Sequence, residues 1–430
     1  MKKQMQELTK RGVLGLIMLA TASVIFPAAA SPVTLEVWMH DHPPRIPLDK
    51  KIIDEFEKAN PDIKVNLTIF PYSTFDQRLQ VAFAGGQGPA VFNNVSFNLG
   101  QYMSSHILAP ADLKALGVSS NDELKAKFGV GLDGATIDGK IYGLPTEVSD
   151  YLCAANNKLW KAAGLDPAKD APKTWEDMVK VSEKLTQRDK SGAPVVRGFD
   201  FNWTDPVFMW LTFNAMVEQA GGTMVNEATR KVDFDSKEVK KTMQYWSDWV
   251  NVHKLGGPQY TGSRDAFLSG QLAIECTVGP WFHSQFEKAG ISYSFFPIPR
   301  WAGAVNDRGF NTYAYFMMVN ANADDATKAA AWKFVGFYAA HSVDLFNEAG
   351  LFTTSPEVAA LKGVTNDPVM QMWLVELKKS IYSPRIPGLN EVGDALGRAR
   401  DRIILQHEDM DKVLSDLNTE AQDIIARQQQ

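Results

Sequence analysis

Between Val33 and Ile69 the chain runs strand, helix, strand, and this order restricts its fold more than any other feature. Val33–Met39 (VTLEVWM) has the length and composition of a strand. From about Leu48 to Asn60, Ile52, Ile53 and Phe56 fall on one helical face, and Ile63–Ile69 alternates apolar and polar positions. A helix between two such strands predicts a parallel α/β sheet, whose ligands sit beyond the carboxyl ends of its strands. His40, Asp41 and His42 stand at such an end. With 430 residues the chain is too long for one ordinary core and fits two domains of roughly 150–200 residues.

The first thirty residues read as an address. Lys2, Lys3, Lys10 and Arg11 are basic, Gly12–Phe26 is apolar, and Ala28-Ala29-Ala30 has the form of a cleavage site. The apolar stretch is shorter than the ~20 residues a spanning helix needs. Cleavage after Ala30 is therefore expected, giving a soluble periplasmic protein that starts at Ser31 and, with no cysteine near that point, carries no lipid. Loss of these four basic side chains and of Glu7 moves the formal net charge from −6 to −9. Phosphate backbones and anionic lipid heads repel so acidic a chain, which disfavours nucleic-acid or membrane-surface partners.

A hydrophobic content of 45% with 22% charged residues is globular and argues against disorder. Cys153 and Cys276 are the only cysteines. An oxidising compartment would let them pair, but both fall in apparent strands, where disulfide geometry is hard to reach; two buried, inert thiols are the expectation. Without a C-x-x-C or histidine-rich cluster, neither a metal nor another cofactor is expected. Eleven Trp and eleven Tyr exceed what core packing asks for, and flat apolar faces with a polar edge suit sugar rings.

The stretch from Asp138 to Met178 sets the domain organisation. Asp138-Gly139 predicts a tight turn, Gly143 and Pro145 break the chain, and Val148–Ala155 is a mostly apolar run of strand length. A short helix follows from Asn156 to Gly164, and Thr174 caps the next one three residues before Asp177. In this order, the Y-G-L-P, N-K-x-W-type and T-W-E-D elements resemble the first domain crossover of bacterial extracellular solute-binding proteins, in the maltose- and glycerol-3-phosphate-binding branch of sugar importers. Phe267–Ile274 with Gly279-Pro280-Trp281, the Asn60-Pro61-Asp62 and Gly85–Pro89 runs, and Gly350–Pro356 are similar to further elements of that family. Ala90 departs from it, standing where the family usually has Asp.

The resemblance covers nearly the whole chain after Ala30. It implies a two-lobed α/β periplasmic-binding-protein fold (type II), each lobe a mixed sheet flanked by helices and joined by a hinge. Residues 31–147 with 311–358 would form the first lobe, and 148–310 with 359–430 the second. It further implies a ligand pocket. The first lobe would contribute His40, Asp41 and His42, then Tyr72, Asp76 and Gln77, then Asn94, Ser96 and Asn98. The second would contribute Asp150, Trp203, Asp205 and the stacking residue Trp281. Asn311 and Tyr313 would lie at the return crossover and Arg385 on the loop before the tail. Gly393 falls near the point where relatives of the maltose branch place another stacking tryptophan, which points to a small ligand. Arg385 leaves an anionic sugar derivative open beside neutral sugars and polyols.

An enzyme would need a nucleophile motif or a spaced pair of carboxylates. Glu147, Asp150, Asp41, Asp76 and Asp205 are available, yet a cleft for polyhydroxylated ligands uses acids equally well as acceptors. Gly-x-Ser-x-Gly, H-E-x-x-H and a phosphate loop are missing. The expected function is thus a monomeric, non-enzymatic binding protein that closes on a carbohydrate-like ligand and delivers it to the transmembrane subunits of an ABC permease. A ligand-loaded sensor docking on a membrane receptor would use the same fold.

Overall fold

The computed structural model describes residues 32–428, apart from the side chains of Trp281, His283 and Ser284. The expected leader, its cleavage after Ala30 and the new terminus at Ser31 lie outside the described residues. Hydrophobic patterning sets the first elements: β1 (Val33–His40), a helix at Ile46–Ala59, and β2 (Ile63–Phe70). β1 and β2 pair in parallel, from Val33 opposite Ile63 to His40 opposite Phe70, as a crossover helix requires. β3 (Val91–Val95) joins the other edge of β1, also in parallel. β4 (Thr136–Ile137) and β5 (Lys140–Ile141) form a small hairpin. Its turn holds Asp138 at φ 49° and Gly139 at φ 74°, the doubly left-handed turn for which glycine is favoured.

β6 (Leu144–Ser149) completes the first sheet together with β12 (Tyr313–Val319), in the order β2-β1-β3-β12-β6. β12 runs antiparallel to both of its neighbours. The second sheet contains β7 (Leu152–Asn156), β8 (Gln187–Arg188), β9 (Pro194–Phe199), β10 (Leu272–Val278) and β11 (Tyr293–Phe296), ordered β11-β7-β10-β9-β8. Only β9 and β10 are parallel in it. Both sheets are therefore mixed.

The apolar run Val148–Ala155, expected as one strand, is split between the two sheets. Its hydrophobicity is continuous because both halves are buried, but the backbone leaves the first sheet at Ser149, and the Asp150 carboxylate accepts the Tyr151 N–H at 2.7 Å. This is the first of three passages between the lobes. The second enters β12, where Tyr313 pairs with Ser149. The third lies beside it, with Thr312 N–H donating to the Ile381 carbonyl at 2.9 Å.

The third passage divides the tail that was expected to lie whole in the second lobe. Val364, Met370, Trp373 and Leu377 pack with Phe75, Tyr102 and Phe316 of the first lobe, whereas Leu389, Leu396, Ile403, Leu417 and Ile424 pack into the second. Helix-period patterning is the same on both sides of the passage, so it carried no sign of the division.

The two cysteines form a disulfide, not two thiols. β7 and β10 are adjacent antiparallel strands with an irregularity between Glu275 and Val278. Cys153 and Cys276 face each other there with Cα atoms 3.7 Å apart. The strand placement was foreseen; the adjacency of strands 123 residues apart was not, and adjacency is what brings the two side chains together.

Candidate functional site

The carboxyl ends of β1 and β3, the start of β12 and the hinge converge between the sheets, and the site is built there. His40, the last residue of β1, is 7% exposed. Asn93 on β3 accepts the His40 backbone N–H at 3.1 Å through Oδ1, so its Nδ2 donates to His40 Nδ1 at 2.8 Å. That bond makes Nδ1 an acceptor and leaves Nε2 carrying the proton of a neutral ring. Burial, helped by the nearby Arg45 guanidinium, holds the His40 pKa well below its ordinary value. Its ring lies 4.5 Å from that of Tyr315 and 5.8 Å, edge-on, from that of Tyr72.

Tyr72 is 64% exposed at the start of the helix Tyr72–Ala84. Asp41 positions it, accepting the Tyr72 backbone N–H at 2.6 Å. From the hinge come Tyr313, whose hydroxyl donates to Glu147 Oε1 at 2.7 Å, and Tyr151, whose ring is 5.5 Å from that of Tyr313. Across from them, Phe208 meets Tyr151 edge-on at 6.0 Å, and the Arg264 guanidinium lies 3.7 Å from the centre of the Phe208 ring. Burial raises the pKa of Glu147 to about 7, against the opposing pull of the Tyr313 hydrogen bond and Arg45. The result is a group of aromatic rings from both lobes, with Tyr72 exposed, Phe208 half-buried and Tyr151, Tyr313 and Tyr315 buried behind them, edged by a neutral imidazole, a buried carboxyl and a guanidinium. Such a set can stack on apolar ring faces while donating to and accepting from hydroxyls.

Of the residues expected at the site, His40, Tyr72 and Tyr313 meet in this group. Most of the others are engaged elsewhere. Asp41 caps a helix, and His42 donates from Nε2 to the Ala349 carbonyl at 2.9 Å. Asp76 accepts from Asn94, Asn98, Tyr102 and Gln80, which makes it the centre of a first-lobe network. Asn94 belongs to that network, and Gln77 is exposed on the same helix. Ser96 is buried and accepts the Ala314 N–H at 3.3 Å. Asn98 also accepts from Asn390 of the second lobe at 3.2 Å.

Asp150 is buried in the hinge, where the Ser380 hydroxyl donates to it; burial raises its pKa to about 7. Trp203 is in the second-lobe core, 5% exposed, with its indole N–H on Asp200 at 2.6 Å. Asp205 caps the helix Pro206–Ala220 through the N–H groups of Val207 and Phe208. Asn311 accepts from Asn214 at 3.0 Å. Trp281 lies in the short helix Pro280–Phe282, but its side chain lies outside the described ones.

Arg385, expected as an anchor for an anionic ligand, is already paired. It donates to the Asp133 carbonyl at 2.6 Å and to Glu227 at 3.1 Å, and so ties the first lobe to the second. Tyr151, Tyr315, Phe208 and Arg264 were not singled out from the sequence. Tyr315 follows Tyr313 at the two-residue spacing of a strand, a signal that would have marked it; Arg264 had none.

A model of the family described as bacterial extracellular solute-binding protein matches residues 44–344. A maltotriose-binding protein of Pyrococcus abyssi is 21% identical over 384 residues, spanning 88% of this chain and 79% of the relative. Among solved structures, an ABC substrate-binding protein of Listeria monocytogenes in complex with cycloalternan superposes with a TM-score of 0.76 at 21% identity, covering 92% of this chain and 100% of that one. The maltose/maltodextrin-binding domain from Bdellovibrio bacteriovorus bound to maltotriose gives 0.75 at 18% identity, with 92% and 100% covered. These likenesses establish the two-lobed α/β fold.

Proposed function

The chain belongs to the bacterial extracellular solute-binding proteins, and we propose that within this family it captures a carbohydrate or carbohydrate derivative and hands it to an ABC permease. The observation that carries the reading is the cluster of Tyr72, Tyr151, Tyr313, Tyr315 and Phe208 around His40 and Glu147. Aromatic faces with few convergent polar groups are what a ring with apolar faces and peripheral hydroxyls selects. Relatives named for maltotriose, maltodextrin and arabinooligosaccharide binding support the same class.

Tyr72 and His40 belong to one lobe and Phe208 to the other, with Tyr151 in the hinge. A ligand touching all of them gains its full contact only when the lobes close, so binding shifts the open–closed population. The carboxyls nearest the cluster serve as acceptors in this reading, Glu147 already holding Tyr313 and Asp150 already holding Ser380. The ligand therefore leaves chemically unchanged. An exported, periplasmic, monomeric protein is the corresponding cellular form.

A thermal-shift panel of sugars, polyols and sugar phosphates tests the reading. A true ligand at 100 times its Kd adds roughly 2.7 kcal/mol to stability. A flat response across the whole panel, or turnover of a bound glycoside, would remove it.

A further inference from the structure

A second space lies beside the aromatic cluster, on the other side of the first turn of the helix Pro206–Ala220. Phe208 of that turn faces Tyr151 and Arg264, whereas Pro206, Val207 and Trp210 line a cavity of about 220 Å³ with Phe97, Leu389, Asn390, Gly393 and Asp394. Phe97 comes from the first lobe and the rest from the second, so both lobes wall it. The Asn390–Asn98 hydrogen bond at 3.2 Å spans the lobes at its side.

Three features decide what such a cavity can hold. Phe97, Pro206, Val207, Trp210 and Leu389 make its walls apolar, while the polar Asn390 and Asp394 are exposed. The Trp210 Nε1–H is buried without a hydrogen-bond partner. At Gly393 an added Cβ would meet nothing within 4 Å, so open space continues to the helix backbone. A sugar ring here would set hydroxyls against Phe97, Val207 and Leu389, and each one left unpaired there weakens binding. An apolar ring has no such cost. A void of roughly 150 Å³ already takes benzene, so this one has room for a six-membered aromatic ring or a short alkyl chain.

We infer that this cavity is an aglycone subsite, and that the protein's ligands are glycosides whose sugar occupies the aromatic cluster and whose apolar aglycone enters between Phe97, Trp210 and Leu389. The inference rests on the carbohydrate-binding reading above and narrows its ligand class. Gly393 is the residue that keeps the space open.

Calorimetric titration of the purified protein with glucose, maltose, maltotriose, phenyl glucoside and 4-nitrophenyl maltoside tests it, on wild type and on Gly393→Leu and Gly393→Ala. An aryl glycoside is expected to bind roughly 10- to 100-fold more tightly than its free sugar. That ratio should fall toward one in Gly393→Leu and partway in Gly393→Ala. Both variants replace a helical glycine facing open space, so their unfolding midpoints should match or exceed that of wild type. Free sugar binding with no gain from the aryl group overturns the aglycone subsite and leaves the carbohydrate reading standing. A gain for maltotriose over maltose that Gly393→Leu abolishes, with none for the aryl glycosides, also overturns it, because the cavity then takes a further sugar ring. Binding of none of the five compounds overturns the inference, and the carbohydrate reading falls with it only where the wider panel of sugars, polyols and sugar phosphates is flat as well.

Discussion

The two lobes build their interiors from different aromatic residues. Eight of the eleven tryptophans lie between residues 150 and 312, and seven of these are at most 5% exposed. They form the interior of the second lobe, with indole N–H groups matched to Ala273 O, Gln219, Asp200 and Met216 O. Of the two clusters inside the first lobe, one is mostly aliphatic, built on Leu35, Val37, Ile52, Val65 and Val319, and the other packs Phe75, Phe92, Tyr102, Phe316 and Trp373. The first lobe also encloses a charged group, in which Arg45 donates to Asp49 and to the His40 carbonyl while Tyr338 donates to Asp49. This lobe brings histidine and tyrosine to the cleft. Tryptophan abundance therefore marks a core here, whereas His40 reaches the candidate site from a strand end.

The sharpest way to break this contrast is Trp246→Ala. Its ring stacks on Phe201 at 4.4 Å and meets Trp203 and Phe213 edge-on. Losing it should cost about 3–5 kcal/mol in denaturant unfolding; a loss below about 1 kcal/mol would show that the tryptophan cluster is not what holds the lobe together. Replacing both cysteines by serine comes next. The bridge closes a loop of 123 residues in sequence, and its removal should lower stability by about 2–4 kcal/mol, with the same midpoint seen for the wild type under reducing conditions.

Glu147 gives a smaller effect with a defined sign. Its folded pKa of about 7 lies above the ordinary 4.5, so the native state holds the extra proton in between. Stability should then be greatest on the acid side and decline as pH rises from about 4.5 to 7, by up to about 3 kcal/mol at roughly 1.4 kcal/mol per unit. Asp150, also raised to about 7, adds a decline of the same sign. Glu147→Gln should remove one of the two contributions, which unfolding midpoints at pH 5 and pH 8 will register. Smallest in stability is Tyr72→Ala, at the exposed start of its helix: a change under about 0.5 kcal/mol, set against a roughly 10-fold loss of affinity for the best-bound sugar. Equal losses on both measures would return Tyr72 to a packing role.

Much of the local structure was legible because it depends on neighbours in sequence. The strand–helix–strand opening, the Asp138–Gly139 turn and the Thr174 cap all appear where short-range patterning put them. Site residues were harder. Asp41 and Asp205 sit at loop ends as a ligand contact would, yet each caps a helix, because a carboxylate beside free backbone N–H groups binds them first. Arg385 and Trp203 have the chemistry of ligand anchors, but Glu227 and Asp200 already bind them.

By itself, the sequence determined the α/β class, the helix caps and turns and, through its ordered motifs, the family. These depend on periodicity and on contacts a few residues apart. Tertiary structure alone decided which strands became neighbours. That placed Cys153 against Cys276, divided an apolar run at Asp150 between two sheets, paired Arg385 across the lobes, and left an open cavity at Gly393. The physical reason is that a side chain's role follows from the groups its burial brings within about 3–4 Å, and for these residues those groups lie mostly a hundred or more positions away in the chain.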